Sequence, residues 1–232
     1  MNDTSVEGEV RKKSISKNDL EFAIMATPKP HHHIYIVGAQ NTGKTTLVDA
    51  LSTAFAANPS EAQPNIIKEV ARTVLRKHHF TAEDIRTSPS RALQLQELIL
   101  KAQFEAENEV LKHGGWFISD RSGVDPIVYA RKYVSEEAAL VLRESKEWVE
   151  LKERMKRSVV IVCQAGADWL MDDGVRLMPE NREAWVKFDE LFCSYLDDWG
   201  FTYEVVPCTM VDIAERVAFV LQKWRDRQSR LG

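Results

Sequence analysis

A glycine-rich segment near the start of the chain restricts its fold more than any other feature. Residues 38–45 read Gly-Ala-Gln-Asn-Thr-Gly-Lys-Thr and match the pattern G-x-x-x-x-G-K-[ST]. The apolar run at 34–37 predicts a buried strand before it, and residues 45–57 predict a helix after it. In this order, main-chain N–H groups of the glycine turn surround phosphate oxygens. The segment therefore predicts a phosphate loop, the Walker A motif.

The loop residues have separate chemical roles. Glycine permits the left-handed backbone that turns amides toward an anion. We expect Lys44 to contact the β- and γ-phosphates and the Thr45 hydroxyl to bind Mg²⁺. The residues expected to hold the nucleotide, ATP with GTP as the alternative, are Gly38, Ala39, Gln40, Asn41, Thr42, Gly43, Lys44, Thr45 and Thr46. The competing interpretation is a glycine turn with an incidental lysine.

Strands and helices alternate along the chain. Short apolar runs predict strands at 34–37, 65–67, 116–119, 159–163 and 201–206. Helical patterns cover 45–57, 89–113, most of 123–157, 180–199 and 213–224. This alternation predicts an α/β fold with a mostly parallel five-stranded sheet and helices on both faces.

Composition limits the function classes. The 232 residues are 44% hydrophobic and 28% charged, as in ordinary globular proteins. The net charge of −4 argues against a broad nucleic-acid surface. No apolar run predicts a transmembrane segment, and three cysteines without metal spacing fit a reducing, cytoplasmic setting. Residues 1–30 are polar and aperiodic, so we expect a disordered arm followed by a single domain over 31–232.

A second polar site follows the third predicted strand. Asp120 ends this strand, and Arg121 comes next. In phosphate-loop proteins such an aspartate helps to hold Mg²⁺, and the arginine could neutralise charge on the transferred phosphoryl group. The alternative is an ordinary strand end in water. Residues 120–123 also fit the D-x-x-G element of GTPases, although the sequence contains no guanine-reading N-K-x-D element.

Three segments together resemble the NadR-type P-loop kinase-like domain. They are residues 34–45, the Lys-Glu-Val-Ala-Arg at 68–72, and the Ile-Ser-Asp-Arg-Ser-Gly-Val-Asp-Pro at 118–126. The resemblance covers about residues 33–225. It implies a three-layer P-loop NTPase fold with the kinase-like strand order 2-3-1-4-5 and an activity toward a small nucleoside-like metabolite.

The same resemblance implies further site residues. In related nucleoside kinases an acid at the position of Glu69 acts as base toward the acceptor hydroxyl, and Arg72 would bind substrate. The alternative is a simple Glu69–Arg72 charge pair. Residues 172–176 resemble a kinase lid, so Arg176 and Arg182 are expected to close over the phosphates. The alternative there is a polar loop that caps the next helix.

Polar residues lie between apolar rows on the long helix predicted at 89–113. Gln96, Gln103 and Glu107 fall within about 40° of one another at 100° per residue. Buried amides and acids need partners. A polar ligand in a cleft would supply them, and so would neighbouring backbone. We expect these three residues to bind substrate.

The sequence leaves different functions open. The first is a Mg²⁺-dependent kinase that transfers the γ-phosphoryl group of ATP to a nucleoside-like small molecule. Its expected catalytic residues are Lys44, Glu69, Asp120, Arg121, Arg176 and Arg182. The second is a regulatory switch that binds ATP or GTP, hydrolyses it slowly and recruits a protein or lipid partner. A plain ATPase is the third.

Overall fold

A parallel five-stranded sheet lies at the centre of the protein. The structure is a computed structural model that describes residues 31–167 and 181–231. The strands are β1 (Ile34–Val37), β2 (Asn65–Ile67), β3 (Phe117–Asp120), β4 (Val159–Cys163) and β5 (Glu204–Val206). Their order is β2-β3-β1-β4-β5, and every neighbouring pair is parallel. The predicted α/β fold class and the strand order 2-3-1-4-5 are confirmed.

Helices cover both faces of the sheet. They are α1 (Lys44–Ala56), α2 (Val70–Lys77), α3 (Ala82–Thr87), α4 (Pro89–Lys112), α5 (Val124–Tyr133), α6 (Glu136–Arg143), α7 (Lys146–Lys156), α8 (Arg182–Asp198) and α9 (Ile213–Gln228). The sequence predicted one mostly helical stretch over 123–157, which the structure divides into α5, α6 and α7. Neither α2 nor α3 was predicted.

The side chains of β1 show why the protein has three layers. Ile34 and Ile36 pack on one face in a cluster with α1 and α9. Tyr35 and Val37 pack on the other face, in a cluster that includes residues of α4 to α8. Successive residues of a strand point to opposite faces. A strand buried on both sides therefore consists of apolar and aromatic residues throughout, as β1 does.

A smaller apolar cluster joins α2 and α3 to α4. Phe80, between α2 and α3, packs with Ile85 of α3 and with Leu95 and Ile99 of α4. The start of α3 is fixed by a capping box, in which Thr81 and Asp84 exchange hydrogen bonds. This arrangement holds the α2–α3 segment away from the sheet edge and leaves a cavity between α2 and α4.

The carboxyl ends of the strands define where a ligand would bind. Strand β1 lies between β3 and β4, so the chain crosses over it between these two strands. Open parallel sheets bind ligands at the carboxyl ends of strands near such crossovers. The loop after β1 and the residues after β3 meet there. Within the described ranges, no helix combines the length and apolar character needed to cross a membrane.

Candidate functional site

Two glycines give the phosphate loop its shape. Gly38 has φ 121° and Gly43 has φ 81°, values that favour glycine. A Cβ at Gly38 would lie 2.7 Å from the Cys163 carbonyl oxygen at the end of β4. A Cβ at Gly43 would lie 2.8 Å from Arg216 Nη1. The loop therefore needs glycine at both positions, for backbone conformation and for close approach.

Lys44 is a buried cation within the loop. Its side chain donates to the Ala39 carbonyl and, over 3.2 Å, to Thr42 Oγ1. The residue is 4% exposed. Burial lowers the pKa of Lys44 to about 8, and the positive charge of Arg121 lowers it further. Because no carboxylate contacts the ammonium group directly among these bonds, an incoming phosphate would stabilise its charged form.

Thr45 and Asp120 meet across the loop. Thr45 Oγ1 donates to Asp120 Oδ2 over 2.6 Å. The other carboxylate oxygen, Oδ1, is buried and has no hydrogen-bond partner among the described residues. Burial raises the pKa of Asp120, and the Thr45 hydroxyl opposes this shift. A hydroxyl beside a carboxylate with an unsatisfied oxygen suits Mg²⁺, which prefers oxygen ligands and retains several waters. These two residues fit the metal predicted from the sequence.

Arg121 is held in a rare backbone conformation beside the loop. Its φ is 86°, and its N–H donates to the Ile36 carbonyl of β1 over 2.9 Å. The guanidinium donates to Glu69 Oε1 over 2.7 Å and to Asp125 Oδ1 over 2.9 Å. Asp125 also accepts from the Ser122 N–H over 2.8 Å. The arginine is therefore oriented by its backbone and by two carboxylates, and positive φ at a non-glycine residue is common at functional sites.

Glu69 makes two ion pairs at the start of α2. Arg72 Nε donates to Glu69 Oε2 over 2.8 Å, while Arg121 occupies Oε1. The charge pair considered as the alternative for Glu69 and Arg72 is thus present. The Glu69 side chain is 10% exposed and that of Arg72 is 42% exposed, and both line the cavity. The pair alone does not decide whether Glu69 acts on a substrate.

A cavity of about 580 Å³ extends from these residues. Its apolar wall consists of Ala71, Leu75, Phe80, Ile85, Leu95 and Ile99. Its polar side includes Gln40 from the phosphate loop, Arg121 and Gln96 from α4. Gln96 is 4% exposed, and its side chain makes no hydrogen bond within residues 31–167 and 181–231. The cavity therefore offers an apolar slot with one amide available to a ligand.

Gln103 and Glu107 do not line this cavity. Gln103 Nε2 donates to Glu107 Oε1 over 2.8 Å and to Ser119 Oγ over 3.0 Å. Glu107 Oε2 accepts from Tyr35 over 2.7 Å and from Arg154 over 2.7 Å. Protein groups thus partner these two side chains, so the expectation that they bind substrate is corrected. Of the polar stripe, only Gln96 reaches the cavity.

The two arginines assigned to a lid have different outcomes. Arg182 is the first residue of α8, and its guanidinium donates to the Gly166 carbonyl after β4. Arg176 and the rest of 172–176 lie outside the described residues. Asn181 caps α8 by accepting from the Ala184 N–H over 2.8 Å. Arg182 therefore lies at the carboxyl edge of the sheet, where a triphosphate would bind.

Sequence reasoning missed several polar residues that hold the loop. Asp189 of α8 accepts from the Ala165 N–H over 3.2 Å. Burial raises the pKa of Asp189, and bonds from Ala165 and Ala39 of the loop oppose the rise. Arg216 of α9 donates to the Thr42 carbonyl over 3.2 Å and is 3% exposed. A charged residue on the apolar row of an amphipathic helix was the available signal at both positions.

The fold and the site together define a class of protein. A phosphate loop follows β1, an aspartate at the end of β3 meets the loop threonine, and the strands have the kinase-like order. These features define a P-loop nucleotide-binding protein with a kinase-like fold. The model of the family AAA_28, described as an AAA domain, matches residues 33–216. The chain belongs to this family.

Solved structures share the fold. A NadR protein in complex with NR is 18% identical, with a TM-score of 0.65, over 86% of this chain and 52% of that one. A NadR protein in complex with NAD and AMP-PNP is 17% identical, with a TM-score of 0.61, over 86% of this chain and 50% of that one. A deoxyadenosine kinase from M. mycoides with bound dATP is 15% identical, with a TM-score of 0.54, over 84% of this chain and 100% of that one.

These similarities extend over different shares of the proteins compared. The chain spans about half the length of the NadR proteins and the whole length of the deoxyadenosine kinase. At these identities the likeness concerns the fold. No curated protein matches the chain in the sequence comparison.

Proposed function

We propose that the protein is a Mg²⁺-dependent kinase that transfers the γ-phosphoryl group of ATP to a hydroxyl group of a nucleoside-like small molecule. One observation carries the proposal: the cavity of about 580 Å³ and the phosphate loop share a wall, because Gln40 and Arg121 belong to both. Phosphoryl transfer requires a donor and an acceptor held in line with water excluded. A cavity opening onto the loop provides that arrangement.

The loop residues would hold the donor. Lys44 would bind the β- and γ-phosphates, and the backbone of residues 38–46 would surround them. Thr45 and Asp120 would hold Mg²⁺, which neutralises charge on the phosphates when it is bound. Arg182 lies at the same edge of the sheet and would contact the triphosphate. The AMP-PNP in one NadR structure supports a triphosphate at this position.

Glu69 and Arg121 would act where the cavity meets the loop. The Glu69 carboxylate would accept a hydrogen bond from the acceptor hydroxyl and take its proton as the oxygen attacks phosphorus. Arg121 would stabilise negative charge on the transferred phosphoryl group. Their contact of 2.7 Å keeps the base and the cation adjacent before substrate arrives. Arg72 would contact the substrate from the rim.

The chemistry of the cavity supports a planar acceptor. Its wall is mostly apolar, and the buried Gln96 amide offers one hydrogen-bonding edge. An aromatic base fits such a slot because its faces are apolar and its edge is polar. The NR and dATP in the similar structures support this class of ligand. Under this proposal residues 31–232 act as one domain, and three free cysteines fit a cytoplasmic setting.

A regulatory switch remains the second candidate because residues 120–123 fit the D-x-x-G element. The contacts of Gly123 give this glycine a packing role instead, because a Cβ there would lie 2.8 Å from Leu151 Cδ1. A switch that hydrolyses nucleotide slowly also has no need of a cavity beside the γ-phosphate. The kinase is therefore the proposal that uses more of the site.

An acceptor screen separates these functions. Purified protein is incubated with Mg²⁺ and ATP or GTP, with and without each member of a nucleoside panel, and diphosphate release is measured. The kinase predicts release that one class of acceptor stimulates and that yields a phosphorylated product. Release that ignores every acceptor indicates an ATPase. A switch predicts slow release together with capture of a protein or lipid partner only in the triphosphate state.

A further inference from the structure

Gln40 occupies an unusual position because it belongs to the phosphate loop and also lines the acceptor cavity. The residue is 3% exposed. Two aromatic residues outside the loop contact it, one at the main chain and one at the side chain. Trp185 comes from α8 and Tyr129 from α5, so helices on the same face of the sheet meet at this single residue.

Trp185 holds the main chain of the loop. Its indole Nε1–H donates to the Gln40 carbonyl over 2.7 Å, and both groups are buried. The peptide unit is planar, so fixing this carbonyl also fixes the direction of the Asn41 N–H, which points the opposite way. Asn41 itself has φ 59°, a left-handed conformation. Trp185 therefore determines how this part of the loop presents its amides.

Tyr129 holds the side chain of the same residue. Its hydroxyl donates to Gln40 Oε1 over 3.1 Å. Burial raises the pKa of Tyr129, so the hydroxyl keeps its proton and remains a donor. The ring packs edge-on against Phe188 of α8, with centroids 5.0 Å apart. Because Phe188 lies three residues after Trp185, the two holding groups are braced by one face of one helix.

We propose that Trp185 and Tyr129 are positioning residues that act together through Gln40 to preorganise the phosphate loop for nucleotide. Neither touches the phosphates through its own side chain in this account. They lower the cost of ordering the loop when nucleotide arrives, and preorganisation of this kind raises affinity without adding contacts. The inference rests on the nucleotide binding contained in the proposed function and does not require phosphoryl transfer.

The test measures the affinity of the full-length protein for AMP-PNP with Mg²⁺ by calorimetry. Trp185→Phe keeps an aromatic ring and removes the indole N–H, and Tyr129→Phe removes only the hydroxyl. Each should raise the dissociation constant about fivefold, the effect of one net hydrogen bond. The matched control is Trp199→Phe, which alters a buried tryptophan at the end of α8 that packs on Trp148 and Tyr195. The control should retain wild-type affinity even where it lowers thermal stability.

The double variant tests joint action. If both residues act through Gln40, the combined loss should stay near tenfold and fall clearly short of the product of the single losses, because the second change releases a residue already freed. Independent, multiplicative losses would overturn the inference. So would wild-type affinity in Trp185→Phe, or a wild-type protein that binds neither AMP-PNP nor GMP-PNP. Loss of transfer with these affinity effects intact would contradict only the proposed kinase.

Discussion

The Thr45 hydroxyl donates to Asp120 Oδ2 over 2.6 Å, which joins the start of α1 to the end of β3. The two residues are 75 positions apart in sequence, yet the parallel pairing of β1 with β3 brings them together. The second Asp120 oxygen is buried without a partner in the described part of the chain. An acidic group in this state is prepared for a ligand that supplies positive charge or hydrogen-bond donors.

Replacing Asp120 should remove the effect of Mg²⁺ on nucleotide binding. In Asp120→Asn the side chain keeps its shape and loses its charge, so it holds a divalent cation less well. We expect EDTA to weaken ATP binding to the wild type by about tenfold or more and to change the variant little. Calorimetry with and without EDTA measures this. Asp49→Asn, at an exposed position on α1, is the control and should behave as the wild type.

The affinity for ATP should decrease above about pH 8 because of Lys44. In the free protein its pKa is lowered to about 8, chiefly by burial. Bound phosphates favour the charged lysine and raise its pKa, so binding takes up a proton wherever the free protein has lost one. Affinity should therefore be flat below this pH and fall by up to about tenfold per unit above it.

Lys44→Arg provides the comparison for the pH effect, because arginine stays protonated throughout the range. Its affinity for ATP, even if lower overall, should not decline between about pH 8 and pH 9.5. Calorimetry in buffers of different ionisation enthalpy also counts the protons. An equal decline in the wild type and the variant would assign the effect to another group.

Gly38→Ala should destabilise the protein more than a glycine substitution elsewhere with the same sign of φ. The new Cβ would lie 2.7 Å from the Cys163 carbonyl oxygen. Gly114 has φ 68° and nothing within 4 Å of its Cβ position, so Gly114→Ala carries the backbone cost alone. We expect about 1 kcal/mol for Gly114→Ala and about 2–4 kcal/mol for Gly38→Ala. Urea unfolding measures both, and equal losses would show that the contact with β4 is unimportant.

Arg154 should stabilise the fold without affecting nucleotide. Its guanidinium pairs with the fully buried Glu107 over 2.7 Å. Arg154→Met leaves that carboxylate without its cation, which should lower the free energy of unfolding by about 3 kcal/mol. Glu107→Gln added to this variant should recover part of the loss, since it removes the buried charge. ATP affinity should stay unchanged, and a loss of affinity in proportion to stability would reopen a binding role for Glu107.

The sequence predicted the parts of the fold that local patterns encode. Buried parallel strands are apolar along their whole length, so β1, β2 and β4 were placed to the residue. The phosphate loop and Asp120 followed from a motif and a strand end. The capping residues of α3, Thr81 and Asp84, were a readable signal that the prediction did not use. Helix α2 carries few apolar residues, and periodicity alone did not indicate it.

The candidate site was harder to predict because its contacts join distant positions. Helical phase showed that Gln103 and Glu107 face inward, but it does not identify what meets them. Their partners include Tyr35, 72 residues from Glu107, and Arg154, 47 residues from it. The aromatic row of α8 likewise indicated burial of Trp185, while its donation to the Gln40 carbonyl depends on how two layers pack. The pattern gives the face of a residue, and the tertiary fold gives its partner.

The central claim is that the cavity beside the loop receives the acceptor of a phosphoryl group. The direct measurement follows γ-labelled ATP with Mg²⁺ and a nucleoside mixture, and identifies by mass spectrometry where the label goes. Glu69→Gln should keep AMP-PNP affinity and lose about 10²- to 10⁴-fold in rate, as for removal of a general base. Leu75→Trp, which fills the cavity from α2, should bind AMP-PNP and transfer no label.

For the wild type, the account predicts label in a phosphate ester of one nucleoside class, formed at a rate that both variants lose. Label found only in inorganic phosphate, at a rate unchanged by every acceptor and by Leu75→Trp, would contradict it.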